Sequence, residues 1–174
     1  MSRRIRQYIG LIVAVVFYYV IHEGAHLAMA LALGVFKQIN ITGLGMQIDV
    51  FAEQMTSSQM GWFCSVGPLA TFVMGWLLVL FAGKICSIKS SLIRTCAWYS
   101  SLTMLILDPL YIGIFYRWVG GGDMNGISLI VPEIVAAVVA TVVGVVNIIL
   151  IWRVLYPAYT RSFDDEKKKG IPIF

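Results

Sequence analysis

The fold is decided first by residues 8–36, which read YIGLIVAVVFYYVIHEGAHLAMALALGVF. Glu23 is the one Asp, Glu, Lys or Arg residue in this run, which exceeds the roughly 20 apolar residues that a helix needs to cross a bilayer. The run also exceeds the roughly 7–15 apolar residues of a secretory signal peptide, although basic residues precede it. We therefore expect it to be a transmembrane helix of the mature protein.

The composition of the whole chain agrees with a membrane protein. Of the 174 residues, 59% are hydrophobic and 13% are charged, whereas a soluble domain has roughly 25% charged residues. Apolar runs long enough to cross a membrane occupy residues 7–34, 57–82, 92–118 and 126–156. Residues 37–51 instead alternate apolar and other residues around Gly43 and Gly45, which predicts a short β-hairpin. The sequence thus predicts an all-α polytopic membrane protein with about four transmembrane helices and a hairpin between the first two.

The distribution of basic residues predicts the orientation of these spans. If both termini are cytoplasmic, all of the 13 Lys and Arg residues except Lys37 and Arg117 fall on the cytoplasmic side, as the positive-inside rule requires. This placement accounts for the net charge of +4 without a nucleic-acid partner. We expect residues 1–160 to form one membrane-embedded domain and residues 161–174 to form a charged, mobile tail.

The first span carries a pattern typical of metal-dependent hydrolysis. Residues four apart lie on one face of a helix, so His22 and His26 can bind one metal ion while Glu23 stands beside it as a base. A chance match is the alternative. However, the chain has only 2 histidines, and both lie in an apolar span, where polar side chains are costly and by default functional. The pattern therefore predicts a site for one Zn²⁺ ion.

A third ligand must come from elsewhere in the chain, because hydrolytic zinc sites typically have three protein ligands. Asp108 lies within the third span at a depth similar to that of His22, since both residues lie about 15 residues into helices that run in the same direction. Asp123 is the alternative ligand, because the glycines before it could let the chain fold back; otherwise it is a helix N-cap. We expect Asp108 to be the third ligand and keep Asp123 as the alternative.

Three motifs resemble those of the site-2 protease family of intramembrane zinc metalloproteases. Residues 20–30, VIHEGAHLAMA, look like the first core helix of that family. Residues 66–70, VGPLA, are similar to its Gly-Pro-Leu-Ala-Asn element, and residues 107–109, LDP, are similar to its Leu-Asp-Gly element. The resemblance covers residues 17–113 and implies zinc ligands at His22, His26 and Asp108, with Glu23 as the catalytic glutamate.

These observations predict an intramembrane zinc metalloprotease that hydrolyses peptide bonds of membrane-embedded or membrane-proximal substrates. As the resemblance suggests, an unwound substrate could pair with the hairpin, where Ile39, Ile41 and Ile48 are candidate substrate-binding residues. The expected partners are a membrane protein or peptide substrate and the lipid bilayer. The alternative is a non-proteolytic metal-binding membrane protein of the same fold that acts as a binding or regulatory module, although the intact Glu23 argues against it.

Overall fold

The computed structural model describes residues 2–42, 45–120 and 122–168. Within these ranges, four helices are long and apolar enough to cross a membrane, and they span Arg3–Ala32, Ser57–Leu80, Ser91–Val119 and Glu133–Asp164. A two-stranded antiparallel hairpin lies between the first and second of them. The predicted all-α polytopic membrane fold with an inserted hairpin is confirmed.

The first two spans are single helices, and the third and fourth each contain two helices joined by a π-helical turn. In chain order the elements are α1 (Arg3–Ala32), β1 (Phe36–Thr42), β2 (Gly45–Val50), α2 (Ser57–Leu80), α3 (Ala82–Cys86), α4 (Ser91–Leu110), α5 (Tyr116–Val119), α6 (Gly122–Ile127), α7 (Glu133–Leu150) and α8 (Tyr156–Lys168). A π-helical turn, Tyr111–Phe115, joins α4 to α5, and another, Ile151–Leu155, joins α7 to α8. The first of these turns follows Pro109, which lacks the N–H that a regular helix needs at that position.

Local sequence sets the ends of the first two long helices. The Ser2 side chain accepts a hydrogen bond from the Ile5 amide at 3.3 Å at the start of α1. Thr56 and Gln59 form a capping box at the start of α2, in which each side chain satisfies a backbone amide of the first turn. After α1, Gly34 has a φ of 70°, which lets the chain leave the helix and enter β1.

The fourth span begins later than the sequence predicts. The predicted start was residue 126, whereas Gly122–Ile127 forms the separate helix α6 and the span begins at Glu133. Pro132 stands at the N-cap, because proline disfavours a helical residue before it and is tolerated at the beginning of a helix. Residues 161–168, assigned from the sequence to the charged tail, continue α8 to Lys168, and residues 169–174 lie outside the described residues.

The predicted hairpin is present and is anchored on the helices. β1 and β2 pair in antiparallel fashion, with Ile39 opposite Ile48 and Ile41 opposite Met46. Gly43, expected near the turn, lies outside the described residues. Ile48 is buried in a cluster with Ala30 of α1, Val35 of the connection between α1 and β1, and Phe63 and Cys64 of α2. This burial fixes β2 beside α1 and α2.

Close helix contacts hold α1, α4 and α7 together. A Cβ at Gly10 of α1 would lie 2.9 Å from the Thr95 side chain of α4, so the glycine allows the two helices to approach closely. Such small residues matter in a bilayer, where packing and hydrogen bonds rather than exclusion of water hold helices together. The Asn147 side-chain amide of α7 donates to the Leu105 carbonyl of α4 at 2.8 Å.

The first and last long helices meet at one end of the bundle. The Arg6 guanidinium of α1 lies 5.6 Å from the centre of the Phe163 ring of α8. The start of the first span and the end of the last therefore lie at the same end of the bundle, as an even number of spans requires. His22 lies sixteen residues further along α1, or about 24 Å at 1.5 Å per residue, and is therefore well removed from this end.

Candidate metal centre

Two histidine rings of α1 point their Nε2 atoms at one another. His22 and His26 are 7% and 4% exposed, and their Nε2 atoms are 3.2 Å apart. The Nδ1 atom of His26 lies 2.8 Å from the Phe63 carbonyl oxygen. A carbonyl oxygen only accepts hydrogen bonds, so Nδ1 of His26 carries the proton and its Nε2 keeps a lone pair in the neutral ring.

Asp108 lies beside the Nδ1 edge of the His22 ring, opposite the edge that faces His26. Nδ1 of His22 lies 3.4 Å from Oδ1 of Asp108 and 3.3 Å from the Tyr18 hydroxyl oxygen. The Tyr18 hydroxyl donates to Asp108 at 2.5 Å, and the Thr71 hydroxyl donates to the other Asp108 oxygen. The acceptors beside Nδ1 therefore favour a proton on that nitrogen, which leaves the Nε2 lone pair of His22 directed towards His26.

Asp123 of α6 provides a third group at the two Nε2 atoms. Its Oδ2 atom lies 3.1 Å from His22 Nε2, and its Oδ1 atom lies 3.4 Å from His26 Nε2. Burial by itself raises the pKa of Asp123, but hydrogen bonds from His22 and His26 in their protonated forms outweigh burial and hold the pKa below its usual value. The site thus favours an ionised carboxylate beside positive charge, as an anionic metal ligand requires.

The loop before α6 brings Asp123 back to α1. Gly120 and Gly122 have φ values of 100° and 35°, and residues other than glycine rarely adopt a positive φ. Further along α6, a Cβ at Gly126 would lie 2.6 Å from the Cys64 Cβ, so α6 packs tightly on α2. The glycine loop and this close contact together set the position of the Asp123 carboxylate.

The spacing of the three groups fits a tetrahedral metal ion. Zinc bonds of about 2.0–2.1 Å to nitrogen and oxygen would place tetrahedral ligand atoms about 3.3 Å apart. The two Nε2 atoms are 3.2 Å apart, Oδ2 of Asp123 lies 3.1 Å from Nε2 of His22, and Oδ1 of Asp123 lies 3.4 Å from Nε2 of His26. With neutral imidazoles, three electron-pair donors at this spacing repel one another unless a cation lies between them. The side chains present therefore fit a zinc ion bound by His22, His26 and Asp123.

Asp108 lies at the predicted depth but on the other edge of the imidazole. Its contact of 3.4 Å with His22 confirms that the two residues share a depth in the bundle. However, it faces Nδ1, and hydroxyl groups from Tyr18 and Thr71 already bind its two oxygens. Sequence reasoning preferred Asp108 as the third ligand, whereas the structure groups the alternative, Asp123, with the histidines. Counting residues along two helices predicts that Asp108 and His22 lie at the same depth. Which edge of the His22 ring Asp108 faces depends on how α1 and α4 are rotated about their axes.

Glu23 faces a cavity that it shares with the candidate metal ligands. The cavity has a volume of about 520 Å³ and is lined by His22, His26, Asp123 and residues 45–50 of β2. Glu23 is 8% exposed, and the Ile48 backbone N–H interacts with its carboxylate. A buried carboxylate, a candidate metal group and the edge of a strand thus meet in one space.

The hairpin contributes one of its three predicted substrate-binding residues to this cavity. Ile48 lines it, whereas Ile39 and Ile41 of β1 are 49% and 73% exposed and lie outside its lining. In the described part of the chain, the whole of β2 borders the cavity and β1 does not. A role of Ile39 and Ile41 in binding substrate stays a prediction, and it would require a substrate that extends beyond this cavity to β1.

Two polar residues of the site were not predicted from the sequence. Tyr18 and Thr71 both bind Asp108 through their hydroxyl groups. The position of Tyr18 one turn before His22 on the same face of α1 was a usable signal. Thr71 had no comparable signal, because its contact with Asp108 depends on the packing of α2 against α4.

Gly67 of α2 allows the histidine rings to occupy this position. A Cβ at Gly67 would contact His26 Nε2 and would lie 2.8 Å from His22 Nε2. We expect Gly67→Ala to displace the rings, at an overpacking cost of about 1–3 kcal/mol, and to lower the zinc content of the purified protein. Gly24→Ala is the matched control, since a Cβ at Gly24 meets nothing within 4 Å. Equal zinc content in the two variants would contradict this expectation.

Comparison of the chain with models of protein families, with curated proteins and with solved structures finds no match. The chemistry of the site is therefore inferred from its own side chains. His22, His26 and Asp123 could hold a metal ion with two neutral ligands and one anionic ligand, a set that suits Zn²⁺. The Glu23 carboxylate lies in the same cavity.

Proposed function

We propose that this chain is an intramembrane zinc metalloprotease of the site-2 protease type. The observation that carries the proposal is the convergence of His22 Nε2, His26 Nε2 and the Asp123 carboxylate at separations of 3.1, 3.2 and 3.4 Å. The position of the two histidines on a membrane-spanning helix, beside the buried Glu23, supports a hydrolytic reaction within the membrane. The resemblance of three sequence motifs to the site-2 protease family supports the same assignment.

Each residue of the site has a role in this proposal. A zinc ion bound by His22, His26 and Asp123 would supply a Lewis acid that polarises the scissile carbonyl group. Glu23 takes a proton from the attacking water and gives it to the leaving amine. Asp108 holds the His22 ring in the tautomer whose Nε2 is free, and a carboxylate in this position also raises the basicity of the ligand.

The substrate of this reaction is a membrane protein or peptide that has partly unwound. A transmembrane helix keeps its peptide bonds in internal hydrogen bonds, so a segment must become extended before it can be cleaved. An extended segment can add to the edge of β2 that faces the cavity. The Ile48 amide faces Glu23, and the amides of Met46 and Val50 share that edge because alternate residues of a strand have the same orientation.

Zinc content and peptide cleavage, measured together on the purified full chain, test the proposed function. We expect about one zinc per chain, cleavage of fluorescent transmembrane test peptides, loss of cleavage on chelation and recovery when zinc is returned. Bound zinc without cleavage across a panel of such peptides would favour the non-proteolytic metal-binding module. No zinc after metal repletion would refute the metal site itself.

The Lys and Arg residues indicate how the helix bundle is oriented in the membrane. We infer that the end of the bundle formed by the start of α1 and by α8 faces the cytoplasm, because most Lys and Arg residues lie there. The metal site then lies nearer the opposite face. Accessibility of single cysteines placed at Ser2 and at Gln38 to an impermeant reagent tests this, with modification of Gln38→Cys alone expected from the outside.

A further inference from the structure

A second cavity lies at the end of the bundle opposite the metal site. Its volume is about 310 Å³, and its walls come from the start of α1, from α4 and from α8. It shares no lining residue with the cavity at Glu23 in the described part of the chain. Its charged lining residues are Arg3, Arg6 and Asp164, so the lining carries more positive than negative charge.

Arg6 is the unusual residue of this cavity. It is 7% exposed, and its Nε atom is buried without a hydrogen-bond partner in the part of the chain that the structure describes. The Phe163 ring lies 5.6 Å from its guanidinium and 5.2 Å from that of Arg94, whose own Nη1 donates to the Ile88 carbonyl. Contact with an aromatic face offsets only part of the cost of burying a guanidinium. An anion in the cavity would offset the remaining cost by pairing with the guanidinium group that lines it.

The position of the cavity indicates which anion would reach it. It lies at the ends of membrane-spanning helices, and Trp98, Tyr99 and Tyr156 line it, which are residue types enriched where a bilayer meets water. Phospholipid phosphates lie at this level of a membrane. The planar guanidinium presents parallel N–H donors that match two phosphate oxygens, and basic pockets between transmembrane helices bind lipid headgroups in this way.

We propose that this cavity binds the phosphate group of a phospholipid, with Arg6 as the main contact and Arg3 as the second. Arg6 donates from its buried guanidinium to the phosphate oxygens, and the acyl chains remain in the bilayer beside the helices. The bound lipid links the start of α1 to α8 at the end of the bundle away from the catalytic cavity. This binding does not depend on the proposed protease activity.

Native mass spectrometry of the full chain in detergent tests the proposal. The protein is titrated with phosphatidylglycerol, with diacylglycerol of the same acyl chains, and with inorganic phosphate. We expect phosphatidylglycerol to bind the wild type. Its affinity for Arg6→Gln should be lower by a factor of about ten or more, because charge-assisted hydrogen bonds are lost. Arg4→Gln is the matched control, because Arg4 is exposed, lies on the same helix and does not line the cavity.

A second variant keeps the test decisive if Arg6→Gln does not fold. Thr160 is an exposed residue that lines the cavity, so Thr160→Trp should block it without changing the charge, whereas Thr160→Ser should bind as the wild type does. Equal lipid affinity of Arg6→Gln and Arg4→Gln, or of Thr160→Trp and Thr160→Ser, would overturn the proposal. Diacylglycerol that binds as tightly as phosphatidylglycerol would overturn the role of the phosphate. Inorganic phosphate that binds as tightly would overturn the assignment to a lipid.

Discussion

Replacing Glu23 with glutamine is expected to slow peptide cleavage by about 10²–10⁴-fold while the bound zinc stays unchanged. Glutamine has nearly the same shape as glutamate but cannot accept a proton from water. Glu23 lies beside the candidate metal group without belonging to it, since the three converging residues are His22, His26 and Asp123. The measurement is the initial rate of cleavage of a transmembrane peptide, together with zinc content from the same preparation.

Glu53→Gln is the matched control for this variant. Glu53 is exposed in the short turn after the hairpin and does not line the cavity at Glu23, so its replacement should leave both zinc and cleavage unchanged. Cleavage by Glu23→Gln at the rate of the Glu53→Gln control would remove Glu23 from the proposed mechanism. Loss of zinc from Glu23→Gln would instead show that the glutamate helps to hold the metal.

Replacing the two aspartates separately should distinguish a metal ligand from a residue that supports one. We expect Asp123→Ala to weaken zinc binding by more than about 100-fold, because it removes one of three ligands. We expect Asp108→Ala to weaken it by about 10–100-fold, the range typical of a carboxylate that orients a metal-binding histidine. Competition with a chromophoric zinc chelator measures both affinities on folded protein.

The opposite ranking would restore the assignment that the sequence favoured. If Asp108→Ala lost zinc and Asp123→Ala retained it, Asp108 would be the third ligand and the contact between Asp123 and the histidines would be secondary. Tyr18→Phe provides a further comparison, because it removes a hydroxyl that donates to Asp108 at 2.5 Å. Its effect on zinc affinity should be smaller than that of Asp108→Ala, since Thr71 still donates to the other oxygen.

Features that depend on neighbours in sequence were predictable. Long apolar runs gave the four spans, and alternation of apolar residues gave the hairpin between the first two. The pairing of His22 with His26 on one face followed from the helical repeat. The error at the start of the fourth span arose because hydropathy does not register that Pro132 separates α6 from α7.

By itself, the sequence determined that this is a membrane protein of four spans, and that two histidines and a glutamate share one stretch of the first span. The tertiary structure decided which aspartate meets the histidines and which strand borders their cavity. The contact of Asp108 with Nδ1 of His22 depends on the rotation of α4 against α1. The contact of Asp123 with the histidines depends on the path of the chain at Gly120 and Gly122. Hydropathy and helical spacing are local properties of a chain, whereas these contacts depend on how separate helices pack.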